Sequence, residues 1–157
     1  MLSALADIKK LRERNAQAEA LRKRQLLTQS REKVEEAQRD LQQFEIWRVQ
    51  EEHRLYDSIM GSEVGLKAID KVKHQIGMLR LKEVSLAEQV EKARQEQKQA
   101  EAALRQAEQA LAEAGKAVEK CQMLIEQVSA DAIAEAQRLE ELELEEASET
   151  NFSRPQN

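Results

Sequence analysis

The sequence predicts an all-α protein, a long two-helix antiparallel coiled-coil hairpin with an overhanging second helix. Three observations support this fold class. The 157 residues are 35% charged and only 3% aromatic, and good helix formers dominate them. Apolar residues recur at alternating three- and four-residue spacing, the period of a left-handed coiled coil. Two glycines, Gly61 and Gly65, separate the two halves of this pattern.

The first helix is predicted at about residues 3–60. Gly61 can adopt the left-handed conformation that ends a helix, and Ser62 followed by Glu63 can cap the next one. We therefore place the turn at about residues 61–65. A turn this short makes the two helices antiparallel neighbours.

The second helix is predicted at about residues 63–147, because seam positions repeat along it almost without interruption. In an antiparallel pair, the numbers of facing residues have a constant sum, and a sum of 127 fits both seams. It places Leu55 opposite Val72. It also places Ser30 opposite Gln97, and we expect this polar pair to fix the register at a cost in stability.

In this register the start of the chain reaches about residue 125, so the second helix has an overhang. The apolar stripe of the overhang has no partner within the hairpin, and it must bind another protein, fold back or fray. Residues 126–157 carry nine Asp/Glu against two Arg, whereas residues 1–33 carry nine Lys/Arg against four Asp/Glu. The hairpin at 1–148 is predicted as a single domain, and 149–157 as a flexible tail.

Several classes of function lack the residues that they need. No apolar run approaches the roughly 18 residues of a membrane span, and we expect no secretory signal. A single cysteine, Cys121, excludes a disulfide framework and suits a reducing compartment. Phosphate-binding loops and catalytic clusters are not found either. We therefore predict no enzymatic activity, no cofactor, no metal site and no membrane insertion.

One band of apolar residues falls on positions that should face water. Its members lie off the seam at one level of the hairpin: Ile46, Trp47, Val49, Met78 and Leu81. Exposed apolar patches are typical of protein interfaces, and tryptophan is favoured at their energetic centres. We therefore predict a partner-binding surface here. The alternative is that Trp47 folds over the groove and shields Leu79 or Lys82.

A second and weaker candidate surface lies near the chain termini. It combines off-seam residues of the first helix with the stripe of the overhang: Leu5, Ile8, Leu11, Val128, Leu139 and Leu142. A local stutter in the heptads explains the first three of these residues equally well.

Two segments of the sequence carry a family resemblance. FEIWRVQEEHRLYDSIMG (44–61) has an aromatic residue, then Trp-Arg, then Glu-Glu and a Leu shortly before the turn. VGLKAIDKVKHQIGMLRLKE (64–83) opens the second helix. Together with the unequal hairpin, these segments resemble the YscO family of type III secretion, the injectisome counterpart of the flagellar protein FliJ. The long acidic C-terminal end departs from the family pattern.

This resemblance implies a central stalk that performs no chemistry, similar to the coiled coil of the gamma subunit in rotary ATP synthases. It implies that the paired termini enter the hexameric secretion ATPase and that the turn end reaches the cytoplasmic domain of the export gate. It also implies a role in recycling export chaperones and a cytoplasmic location, peripheral to the base of the secretion apparatus. We expect such a stalk to be a monomer in isolation and to bind no nucleic acid.

Individual positions follow from the same resemblance. The Trp-Arg pair at 47–48 and the Glu-Glu pair at 51–52 match the family text. The resemblance therefore implies export-gate contact at about 47–81. The ATPase end is implied at about 1–20 and 110–142.

Three other interpretations are open at the level of sequence. A generic coiled-coil adaptor or scaffold would bury the apolar band by self-association, as two hairpins in a four-helix bundle. A nucleic-acid-binding arm would use the basic residues of the first helix, although the net charge of −5 disfavours it. One continuous helix in a parallel dimer is disfavoured by Gly61, by Gly65 and by the register.

Overall fold

Two long helices make up the part of the chain that the structure describes. This computed structural model describes residues 1–61, 63 and 65–153, with side chains as far as residue 150. Helix α1 spans Leu2–Ile59 and helix α2 spans Leu66–Ser153. The helices pack together antiparallel, so the predicted fold class is confirmed. Within the described residues, neither helix contains an apolar stretch long enough to cross a membrane.

The turn between the helices differs from the prediction in where α2 begins. Gly61 has a φ of 82°, so it follows α1 in the left-handed conformation that the sequence predicted. The amides of Ala68 and Ile69, in the first turn of α2, donate to the carbonyl oxygen of Gly65, with N···O distances of 3.1 and 3.4 Å. Because Gly65 accepts these bonds, α2 begins at Leu66 rather than near residue 63. The predicted cap at Ser62 lies outside the described residues.

Helix α2 also continues further than the sequence predicted. It ends at Ser153 rather than near residue 147, so the segment expected to be a tail, 149–157, is helical in its first part. Residues 147–153 contain no glycine or proline, so nothing in that segment opposes a helix. Residues 154–157 lie outside the described residues. The division into one hairpin domain and a tail stays a prediction.

The packing divides the chain into two compact units. One comprises Glu19–Glu108, and the other comprises Met1–Ala18 with the described residues from Gln109 onward. None of the described side chains is completely enclosed, so each unit has a line of buried residues rather than a core. These lines follow the predicted register, with the following facing pairs buried: Leu55 and Val72, Ala20 and Ala107, Ala6 and Cys121.

The polar pair at Ser30 and Gln97 does not join the two helices through its hydrogen bonds. The Ser30 hydroxyl donates to the carbonyl oxygen of Leu27 at 2.7 Å. Gln97 Nε2 donates to Glu101 Oε1 at 3.2 Å. Each group is thus satisfied on its own helix, and these bonds do not supply the register constraint that the sequence predicted.

A cluster of four charged residues crosses the seam instead. Arg48 occupies a seam position, and its guanidinium forms ion pairs with Glu83 of α2 and with Glu52 of its own helix. Arg80 of α2 donates from Nε to Glu52 Oε1 at 3.1 Å. The side chains of Arg48 and Glu83 are only 15% and 28% exposed. Because a part-buried charge without a partner is costly, the cluster favours this alignment of the helices over shifted ones.

Removing one charge of this cluster should lower the free energy of unfolding more than removing an exposed charge does. We expect Arg48→Leu to lower the free energy of unfolding by about 1–3 kcal/mol, since Glu83 and Glu52 lose their shared partner. The double variant Arg48→Leu/Glu83→Leu should recover most of this loss, because both seam charges are gone. Urea unfolding followed by far-UV circular dichroism measures both.

The matched control is Arg22→Leu, which removes an arginine whose ion pair with Glu19 is exposed on both sides, at 63% and 43%. Its effect should lie within experimental error, because exposed ion pairs contribute little. Equal losses for Arg48→Leu and Arg22→Leu would contradict the role assigned to the cluster.

One substitution at two glycines should have opposite effects on stability. Gly61→Ala places a Cβ on a left-handed residue, and we expect a loss of about 1 kcal/mol. Gly77→Ala lies inside α2, where the new Cβ meets no described neighbour within 4 Å, and we expect a gain of about 0.5–1 kcal/mol. Urea unfolding compares the two variants. A gain at Gly61 would show that the helix end is assigned wrongly.

Candidate protein-interaction surface

Trp47 packs against the seam and still stays half exposed. Its ring centroid lies 5.7 Å from that of Phe44, with an angle of 42° between the two planes. Lys82 Nζ also contacts the Phe44 ring and lies 5.4 Å from its centroid. Phe44 is buried, whereas Trp47 keeps 48% of its surface exposed. Trp47 therefore contacts the buried seam residue Phe44 and presents the rest of its ring to solvent. The alternative, that Trp47 shields Leu79 or Lys82, stays a prediction.

Trp47 and Met78 line one open groove between the two helices. The other lining residues come from both helices: Glu51, Leu55, His74, Gln75 and Leu79. The groove has a volume of about 240 Å³, and its surface is mostly apolar. This is smaller than most small-molecule sites, which enclose about 300–1,000 Å³. An open groove of this size fits one or two side chains of a protein partner better than it fits a cofactor.

The other three residues of the predicted band do not line the groove. Ile46, Val49 and Leu81 are exposed at the same level of the hairpin. In the heptad, Ile46 and Leu81 take the outermost position of their helices, and Val49 lies on the side away from Trp47. The structure thus brings Trp47 and Met78 together and leaves the other three around the outside.

The polar rim of the groove is not among the residues predicted from the sequence. Arg54 donates from Nε to both carboxylate oxygens of Glu51, at 3.2 and 3.1 Å. These hydrogen bonds, aided by the charge of Arg54, lower the pKa of the Glu51 carboxyl, so it is ionised at neutral pH. The spacing of Glu51 and Arg54 could have predicted this pair, because residues three apart on a helix are neighbours. Among the described residues, no three His, Cys, Asp or Glu side chains group as a metal site.

The terminal surface lies in the unit that contains both chain ends. Its six residues, Leu5, Ile8, Leu11, Val128, Leu139 and Leu142, are each 41–50% exposed. Ala6 is buried instead of Leu5, so the heptad register continues to the start of α1. The alternative of a local stutter, which would turn Leu5 or Ile8 into the seam, is therefore wrong. Leu5 forms a shallow groove with Leu124 and Cys121, which Ile8 and Leu11 do not line.

Comparison with known proteins identifies the family of this chain. The family model of the type III secretion protein YscO matches residues 2–150. The chain belongs to the YscO family. The crystal structure of the type III secretion protein YscO from Vibrio parahaemolyticus is 29% identical, covers 93% of this chain and 92% of that chain, and superposes with a TM-score of 0.85. No curated protein sequence matches this chain.

Membership of the YscO family makes this chain a component of type III secretion. The resemblance in residues 44–61 and 64–83 therefore identified the correct family. The partners of a YscO-family chain belong to the secretion apparatus. Which partner each of the two surfaces binds, the Trp47 groove and the terminal surface, is a matter of proposal.

The single tryptophan makes the groove measurable in solution. Met78→Ala removes the wall that faces Trp47, so acrylamide should quench the tryptophan fluorescence more strongly and its emission should shift to the red. Leu81→Ala is the matched control, because Leu81 lies at the same level but outside the groove. Identical quenching in the two variants would contradict the groove as described.

Proposed function

We propose that this YscO-family chain is a non-enzymatic central stalk, which links the hexameric secretion ATPase to the export gate. It lies in the cytoplasm, peripheral to the base of the apparatus, and it is a monomer in isolation. It also takes part in recycling export chaperones. Family membership supports the secretion role, and two exposed apolar surfaces on different units support two separate partners.

The gate contact rests on the groove between Trp47 and Met78. This observation carries the proposal, because a rigid aromatic ring beside an apolar groove matches the centre of a protein interface. The Glu51–Arg54 pair supplies a polar rim of the kind that surrounds such centres. Ile46, Val49 and Leu81 widen the apolar area around the groove.

The ATPase contact is assigned to the unit that holds both termini. There Leu5, Ile8 and Leu11 on α1, and the stripe of the overhang on α2, are exposed. The seam of this unit uses small residues, including Ala6, so the paired helices are slim enough to enter the centre of a ring.

A stalk of this kind couples two partners without chemistry. It can favour one state of the ATPase ring only if it contacts the two states differently, and the same contacts must then change its own affinity. A helical pair suits this role, because its seam charges hold the two helices in one alignment while the outer surfaces bind partners.

The test measures binding of the full chain to purified ATPase and to the cytoplasmic domain of the export gate from the same cell. We expect Trp47→Ala to weaken gate binding at least tenfold and to leave ATPase binding unchanged. Tyr56→Ala is the matched control, since Tyr56 is a half-exposed aromatic residue of the same helix outside the groove. The double variant Ile8→Ser/Leu11→Ser should weaken ATPase binding and spare the gate.

Two results would redirect the proposal. Binding of an export chaperone that Trp47→Ala abolishes, with gate binding intact, would assign the groove to chaperones instead. If neither ATPase nor gate binds wild type and the chain has twice the mass of 18.0 kDa in solution, a dimeric scaffold replaces the stalk.

A further inference from the structure

The overhang of α2 continues the seam of the hairpin beyond Leu2, the N-terminal end of α1. Ile125 is the last half-buried residue, and every side chain from residue 126 to residue 150 is exposed. The three- and four-residue spacing nevertheless persists there through Val128, Ala132, Glu135, Leu139 and Leu142. An apolar stripe at this spacing is the surface that a coiled coil presents to a partner helix. The overhang therefore presents the kind of face that can pair with another helix.

The charge around this stripe is strongly negative. Residues 126–150 contain nine Asp/Glu and one Arg. In the heptad, Asp131, Arg138 and Glu145 flank one side of the stripe and Glu143 flanks the other, so three acidic residues and one Arg occupy these positions. Charges at these flanking positions decide which helix pairs with which. A second copy would bring two strongly negative segments together and, in a parallel pair, would set one Glu135 against the other, so self-pairing is disfavoured.

The same chain shows how it accommodates a glutamate within a seam. In the unit at Glu19–Glu108, the seam residue Glu83 pairs with Arg48 of the facing helix. Glu135 occupies the corresponding kind of position in the overhang. Arg138, three residues further along the same helix, donates from Nη2 to Glu135 Oε1 at 2.7 Å. Both side chains are more than half exposed. A facing helix with a basic residue at this level would complete the arrangement seen at Glu83.

We infer that the overhang binds an amphipathic helix of a secretion-apparatus protein, with Lys or Arg flanking its apolar stripe and one basic residue facing Glu135. The inference rests on the proposed function in assigning this end of the chain to the ATPase, and it adds the chemistry of the surface that covers the stripe. The basic start of the chain itself does not fill this role, because Ala6 is already packed in the seam of the same unit.

The test uses the full chain and two synthetic four-heptad helices that share leucine at every seam position but one, which holds Lys in the first helix and Glu in the second. One carries Lys and the other Glu at all flanking positions, so neither pairs well with itself. In fluorescence anisotropy the basic helix should bind, and the acidic helix should bind at least tenfold more weakly. Raising the salt concentration from about 0.05 M to about 0.5 M should weaken the basic complex at least tenfold.

Three variants locate the contact. Leu142→Ser should weaken binding of the basic helix at least fivefold. Leu144→Ser is the matched control, because Leu144 lies on the outer side of α2 and is 71% exposed. Glu135→Lys should weaken the basic helix and strengthen the acidic one. Equal binding of both helices, or equal effects of Leu142→Ser and Leu144→Ser, overturns the inference.

The remaining outcomes separate this inference from the stalk proposal. A wild-type dimer that Leu142→Ser dissociates would make a second copy the occupant and overturn the inference. Binding of the ATPase without binding of the basic helix would refute the inference and leave the stalk intact. A third outcome is that the basic helix binds, the variants change its binding as expected, and the ATPase does not bind. This outcome would uphold the inference and refute the proposed ATPase contact.

Discussion

Two helices can bury only a line of side chains between them, and the other features of this chain follow from that constraint. In a coiled coil about two residues in seven face the partner helix, and the rest stay at the surface. The buried residues of both units are accordingly seam residues, and no described side chain is completely enclosed. Apolar residues off the seam are exposed by geometry, so their exposure alone does not mark a binding surface.

Arrangement separates a binding surface from incidental exposure. Trp47 and Met78 line the same groove, whereas Ile46 and Leu81 occupy the outermost positions of separate helices. The stripe on the overhang is likewise distinguished by its spacing and by the acidic residues that flank it. In both places several side chains together form a surface that one partner element can cover, which scattered apolar residues do not.

Charged seam residues constrain the alignment of the two helices, whereas the uncharged polar pair in the seam does not. Ser30 and Gln97 satisfy their hydrogen bonds on their own helices, so shifting the helices would break none of them. Arg48 and Glu83 lie on different helices and are mostly shielded from water, so a shift would leave Glu83 without a partner and Arg48 with only Glu52 of its own helix. The same physical rule makes Glu135 on the overhang a guide to the partner that completes it.

The sequence by itself determined the hairpin, the register and the family. Seam positions such as Leu55, Val72, Ala20 and Ala107 depend only on a repeat of 3.5 residues, which the order of residues displays directly. The tertiary structure decided which long side chains meet beside the seam. The ion pairs of Arg48 and the groove under Trp47 depend on the side-chain conformations at several flanking positions of two helices, and residue spacing does not specify those conformations.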